Sequence, residues 1–157
     1  MEQRNLGNSG LRVSLVGLGC NNFGGDRCDF EASRKVLYRA LDLGITHIDT
    51  ADTYGGRGAC EEILGKCLGE RRKDVVLVTK CGIQLDDAGL MRGASRRYVM
   101  SAVEASLRRL KTDWIDLFFI HRPDPSTPIE ETLRTLDDLT RAGKVRYTGC
   151  STFAPWQ

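Results

Sequence analysis

Five stretches of the chain are almost continuously apolar: Ser14 to Gly19, Thr46 to Ala51, Val75 to Lys80, Ile115 to His121, and Val145 to Ser151. They are rich in Val, Ile, Leu and Phe with little alternation, the pattern of strands buried on both faces, and so predict parallel pairing. Between them apolar positions recur at helical spacing. Asp29 is placed to cap a helix that buries Val36, Leu37, Ala40 and Leu41 and stops before Gly44. Glu61 to Leu68 reads as a shorter helix, and Ser95 precedes a third with Val99, Val103, Leu107 and Leu110 on one face. Thr127 and Glu130 spell a capping box around Pro128 for a fourth, with Ile129, Leu133 and Leu136 facing inward and Gly143 ending the run. The order is βα four times, then one more strand.

Ahead of these units, Arg4 to Val13 carries Leu6, Leu11 and Val13 around Gly7-Asn8-Ser9-Gly10, which predicts a small hairpin that would cap the bottom of a barrel. A closed eight-unit barrel takes roughly 200 to 250 residues. The 157 residues present hold about five units and are expected to leave the barrel open.

Composition describes an ordinary globular domain: 41% hydrophobic, 28% charged, net charge +2. Arg71-Arg72-Lys73 and Arg108-Arg109 read as solvated helix ends, and nothing calls for a nucleic-acid or membrane partner. There is neither an apolar run of membrane-spanning length nor a leader-like start at Met1. The six cysteines contain no Cys-x-x-Cys pair, so reduced thiols and a cytoplasmic location are expected, and two histidines make a metal cluster improbable. Gly17-x-Gly19 lacks the third glycine of a Rossmann fingerprint, and Gly55-Gly56-Arg57-Gly58 lacks the Walker lysine.

Asp49, Tyr54, Lys80 and His121 fall where apolar strands give way to loops, the rim at which parallel sheets present their ligand sites. A tyrosine, with a reference pKa near 10, is a poor acid unless a neighbouring ammonium stabilises its phenolate. Lys80 can supply that ammonium, Asp49 can keep it charged, and His121 can hydrogen-bond a substrate oxygen. Such a set suits protonation of a carbonyl oxygen while hydride arrives at carbon. Taken singly, Lys80 and Asp49 read as solvated loop residues, Tyr54 as a core cap and His121 as a satisfied structural histidine.

Asp49-Thr50-Ala51-Asp52-Thr53-Tyr54-Gly55, Val78-Thr79-Lys80, Ile115 to His121 and Gly143 to Ser151 together resemble the aldo-keto reductases, as do Leu6-Gly7 and Gly17-Leu18-Gly19. The resemblance implies the first five strands and four helices of a (β/α)8 TIM barrel, behind an N-terminal β-hairpin and within a single domain over 1–157. It also implies reduction of an aldehyde or ketone with NADPH, or NADH. Tyr54 would be the general acid, Lys80 and Asp49 its tuning pair, and His121 the group orienting the carbonyl. Ser151 would bond the nicotinamide amide, with Gly19, Cys20, Asn21, Asp49 and Thr152 along the cofactor cleft. Thr152 departs from the asparagine usual in the family, which weakens that contact. The later strands, which complete the cofactor site, lie beyond Gln157.

Three readings follow. One is a truncated reductase or fragment with impaired activity, able to self-associate through its open edge; another is a non-catalytic binding or regulatory scaffold. The third is a self-contained doubly wound domain with its ligand at a strand-order reversal. The substrate is left open; Asp86 to Arg92 and Arg122 to Ser126 are the visible candidate pocket loops.

Overall fold

In the computed structural model, which describes residues 1–156, an antiparallel hairpin precedes a five-stranded parallel sheet with four α-helices. The hairpin strands β1 (Gln3–Asn5) and β2 (Arg12–Ser14) pair around a turn in which Ser9 donates to the Leu6 carbonyl at 2.7 Å. Ser14 ties the hairpin to the sheet, its hydroxyl accepting the Thr46 and His47 amides at 3.0 and 3.2 Å. It therefore covers the N-terminal end of the strands, as expected.

The sheet runs β3 (Gly17–Gly19), β4 (His47–Asp49), β5 (Val76–Cys81), β6 (Ile115–Ile120) and β7 (Val145–Cys150), all parallel and in chain order. A doubly wound fold needs a strand order that turns back on itself, so this sequential order removes that reading. Among the described residues β3 and β7 each have one neighbour, so the barrel is open. Two strands fall short of the apolar runs that announced them by three residues each. Ser14 belongs to the hairpin instead of β3, and β4 stops at Asp49 because Thr50 to Tyr54 begin the turn that carries the rim.

The helices are α1 (Phe30–Asp42), α2 (Ala59–Leu68), α3 (Arg96–Leu110) and α4 (Ile129–Arg141), with a 3₁₀ segment, Gly69–Asp74, after α2. Asp29 caps α1 by accepting the Ala32 amide at 2.8 Å, and Ser95 caps α3. The capping box expected at Thr127 does not form: that hydroxyl donates to Asp124 at 2.7 Å, and Pro128 opens α4 without a side-chain cap. At the α2–α3 crossing a Cβ on Gly65 would collide with the Arg109 carbonyl, so glycine permits the close approach.

Two expected core faces are rotated. α1 buries Ser33, Leu37, Ala40 and Leu41 while Val36 is 44% exposed; α4 buries Thr132, Thr135, Leu136 and Leu139 while Ile129 and Leu133 are 43% and 57% exposed. The buried threonines are tolerated because their hydroxyls are satisfied, Thr132 donating to the Ala94 carbonyl at 2.9 Å and Thr135 to the Glu131 carbonyl at 2.7 Å. Val36, Ile129 and Leu133 lie on the two outermost helices of an open sheet, where no further element covers them.

The N-terminal end of the strands is held by a charged cluster that corrects another expectation. Arg72 is buried: its guanidinium meets Asp116 at 2.8 Å, donates to the Trp114 carbonyl at 2.7 Å and stacks 4.7 Å from the Trp114 ring. Asp116 also accepts the Leu77 amide at 3.0 Å and Arg146 at 3.0 Å, joining β5, β6 and β7. Arg109 likewise turns inward, onto Glu61 at 2.6 Å. Removing one member of a buried ion pair strands the other, which typically costs about 3–5 kcal/mol. Asp116→Ala should therefore lower the urea midpoint sharply; a midpoint within error of the wild type would show that the Arg72–Asp116 pair does not hold the strands together.

Candidate active site

The parallel register places the expected rim residues together. Gly19, Asp49 and Val78 share one level, and Lys80, Phe119 and Gly149 the next, so Asp49 and Lys80 emerge at neighbouring strand ends. Beyond β4 the ladder continues, Thr50 donating to the Val78 carbonyl at 2.9 Å and Asp52 to the Lys80 carbonyl at 3.0 Å. A turn closed by the Tyr54 amide on the Ala51 carbonyl at 3.1 Å then points the chain back over the sheet. Gly55 follows at φ +70, against the Phe23 carbonyl, where a Cβ would collide.

Lys80 is 5% exposed, and its ammonium donates to Asp49 at 2.7 Å, to the Thr50 carbonyl at 2.9 Å and to the Tyr54 hydroxyl at 3.5 Å. Its Nζ lies 5.0 Å from the Tyr54 ring centroid, and the His121 ring meets Tyr54 edge-on at 5.9 Å. His121 is buried just past β6, its amide donating to the Cys81 carbonyl at 2.8 Å. Burial, and then the positive charges of Lys80 and Arg122, lower its pKa, so the imidazole is neutral at pH 7. Its Nδ1 is enclosed with no partner among the described residues. All four rim residues are thus gathered in one place.

The expected cofactor contacts lie beside them. The Cys20 amide donates to the Asp49 carbonyl at 2.9 Å. The Cys20 thiol is fully buried, and hydrogen bonding with Cys60 together with burial pushes its pKa far up, leaving backbone rather than sulfur for any ligand. Asn21 is exposed, and neither its amide nor the Ser151 hydroxyl has a partner among the described residues, so both are available to a polar ligand. The Thr152 hydroxyl is committed to the His121 and Ser151 carbonyls at 2.8 and 2.7 Å. Its φ of +58 is strained for a β-branched residue, whereas asparagine tolerates that region. The free Ser151 hydroxyl therefore fits the amide end of a nicotinamide, and the committed Thr152 side chain does not.

Residues 15–157 match the sequence model of the Aldo/keto reductase family. The chain belongs to the aldo/keto reductase family. Relatives in Bacillus subtilis (strain 168) include the aldo-keto reductase YhdN, 42% identical over 98% of the chain and 48% of its own length. The uncharacterized oxidoreductase YqkF, from the same organism, is 41% identical over 99% of the chain and 50% of its own length. The solved structure of aldo-keto reductase AKR11C1 from Bacillus halodurans (holo form) superposes with a TM-score of 0.89 at 39% identity, over 99% of the chain and 51% of that structure. The chain thus spans about half the length of the aldo/keto reductase relatives it matches, and its open sheet corresponds to part of their TIM barrel.

Behind the rim lies a polar network that the strand-end pattern did not single out. Asp52, fully buried, accepts the Tyr98 hydroxyl at 3.1 Å, and its other oxygen has no partner among the described residues. Glu61, also fully buried, accepts Thr79 at 2.5 Å and Arg109 at 2.6 Å. A signal existed for Glu61: it falls three and seven residues before Leu64 and Leu68, on the apolar face of α2. Burial first, then the Glu61 charge, raises the Asp52 pKa from 3.8 to about 7. A folded-state pKa above the unfolded value gives stability that is present below pH 3.8 and lost as pH rises through about 7, roughly 4 kcal/mol in all. Asp52→Asn keeps an acceptor for Tyr98 without the charge. Urea midpoints measured from pH 5 to 8 should fall for the wild type and stay flatter for Asp52→Asn; parallel curves would refute the buried-charge account.

Proposed function

We propose that this chain carries the acid-bearing half of a reductase that converts an aldehyde or ketone to an alcohol with a reduced nicotinamide cofactor, NADPH or NADH. The observation that carries this reading is the ammonium of Lys80, held by Asp49 at 2.7 Å and within 3.5 Å of the Tyr54 hydroxyl. When bound, the cofactor supplies hydride to the carbonyl carbon. Tyr54 donates its phenolic proton to the carbonyl oxygen, and the phenolate left behind is stabilised by the adjacent ammonium. Asp49 balances the charge of the buried ammonium.

His121 acts as a neutral donor. With Nδ1 enclosed and unpartnered, a proton there would be a buried donor without an acceptor, so it is better placed on Nε2, from which it can hold the carbonyl oxygen near Tyr54. Ser151 offers the polar contact for the nicotinamide amide, and the backbone of Gly19, Cys20 and Asn21 lines the cofactor cleft. Cytoplasmic residence belongs to this same reading; among the described residues no helix is long and apolar enough to cross a membrane.

NADPH oxidation with an aromatic aldehyde and with methylglyoxal tests the reading. Turnover should fall at least about 100-fold in Tyr54→Phe, with cofactor affinity unchanged; a Tyr54→Phe protein as active as the wild type would remove the tyrosine from the chemistry. The site also favours self-association, because the open edges β3 and β7 leave strand hydrogen-bonding groups unpaired beside Leu15, Val16, Val36, Ile129 and Leu133, all at least 43% exposed. Sedimentation should show species heavier than the 17.5 kDa chain, whereas a monodisperse monomer would end the self-association part of the proposal.

A further inference from the structure

Two loops that showed no substrate signature in the sequence form one cleft in the structure. Gly82 to Ser95 and Arg122 to Thr127 enclose a volume of about 620 Å³, lined among others by Gln84, Arg92, Ser95, Arg122 and Asp124. The cleft adjoins the rim: a Cβ on Gly82 would sit 3.6 Å from the His121 amide nitrogen and 3.9 Å from that of Arg122. Its loops are shaped by their own acids. Asp86 accepts the Leu90 and Met91 amides at 3.3 and 2.9 Å, and Asp124 accepts the Ala94 amide at 2.9 Å, the Ser126 amide and hydroxyl, and the Thr127 hydroxyl. These bonds hold the Asp124 pKa at about 2 against partial burial, so its charge is permanent and its oxygens are occupied.

The acids around the cleft are thus committed: Asp87 pairs with Arg57 at 2.7 Å, and Glu131 accepts the Arg96 amide at 2.8 Å. Arg92 and Arg122, by contrast, have no hydrogen-bond or ion-pair partner among the described residues. Among the lining residues two uncommitted guanidiniums therefore face one carboxylate whose oxygens are already taken. Guanidinium forks match carboxylate and phosphate oxygens. The geometry points to a subsite in which Arg92 and Arg122 hold an anionic group, a carboxylate or a phosphate, borne by the carbonyl substrate whose reacting end faces Tyr54 and His121. This inference rests on the reductase reading and adds a substrate class to it: short aldehydes or ketones with a carboxylate or phosphate at the far end.

The test uses the full chain and reads binding apart from turnover. Amide and imidazole NMR signals are followed during titration with succinate, with inorganic phosphate, and with neutral succinamide. The expected result is saturable shifts at Gly93, Ser95 and Thr127 with an anion and none with succinamide, together with a raised titration midpoint for His121, since a bound anion offsets the Arg122 charge that lowers it. His47, at the opening of β4, is the internal reference. Affinity should fall about tenfold in each of Arg92→Gln and Arg122→Gln. Shifts with succinate alone assign a carboxylate, with phosphate alone a phosphate, and with both a general anion subsite. No saturable shift with either, or shifts that persist in the double variant, overturn the subsite. Succinic semialdehyde should also show a lower KM than butanal. Failure to turn over either aldehyde counts against the reductase reading, while the titration still decides the subsite.

Discussion

A buried ammonium dictates the geometry of this rim. Lys80 is nearly inaccessible to water, and a charge removed from water must be met by an opposite charge and by oriented dipoles or lose its proton. Asp49 supplies the charge, the Thr50 carbonyl a dipole, and the Tyr54 hydroxyl the remaining acceptor. Each of those partners is positioned by backbone: Asp49 by the β4–β5 register, Thr50 by its bond to the Val78 carbonyl, Tyr54 by the turn that Gly55 allows. The arrangement that satisfies the lysine is also the one that sets its ammonium beside the tyrosine hydroxyl.

The two ends of the sheet divide the work. At the N-terminal end, Asp116 gathers Arg72, Arg146 and the Leu77 amide, while Ser14 fastens the hairpin; these groups are saturated by one another. At the C-terminal end, Ser151, Asn21, Arg92 and Arg122 hold donors without protein partners among the described residues. A protein that satisfies its polar groups at one end and leaves them open at the other is built to receive something there.

Much of this was legible in the residues. Continuous apolar runs announced five parallel strands, Asp29 and Ser95 marked two helix starts, and polar residues at strand ends marked the rim. What escaped has definite causes. Val36 and Leu133 were assigned inward because they are apolar, but an outermost helix has an uncovered flank and the neighbours decide which face is inside. Thr127 resembled a cap until Asp124, three residues earlier, took its hydroxyl. Arg72 and Arg109 sat among other basic residues, and only tertiary structure could show that Asp116 and Glu61 waited for them. Thr152 bears on both levels: its amide-less side chain was visible in the sequence, its left-handed backbone was not.

Of the six free thiols, four are buried and one is half-covered; Cys150, the last residue of edge strand β7, stands in solvent. Any strand that paired along that edge would lie directly against it. The chain therefore carries its own occupancy gauge. Alkylation of that sulfur, fast while the edge is bare and slow once it is covered, reports from inside the molecule whether anything pairs along β7.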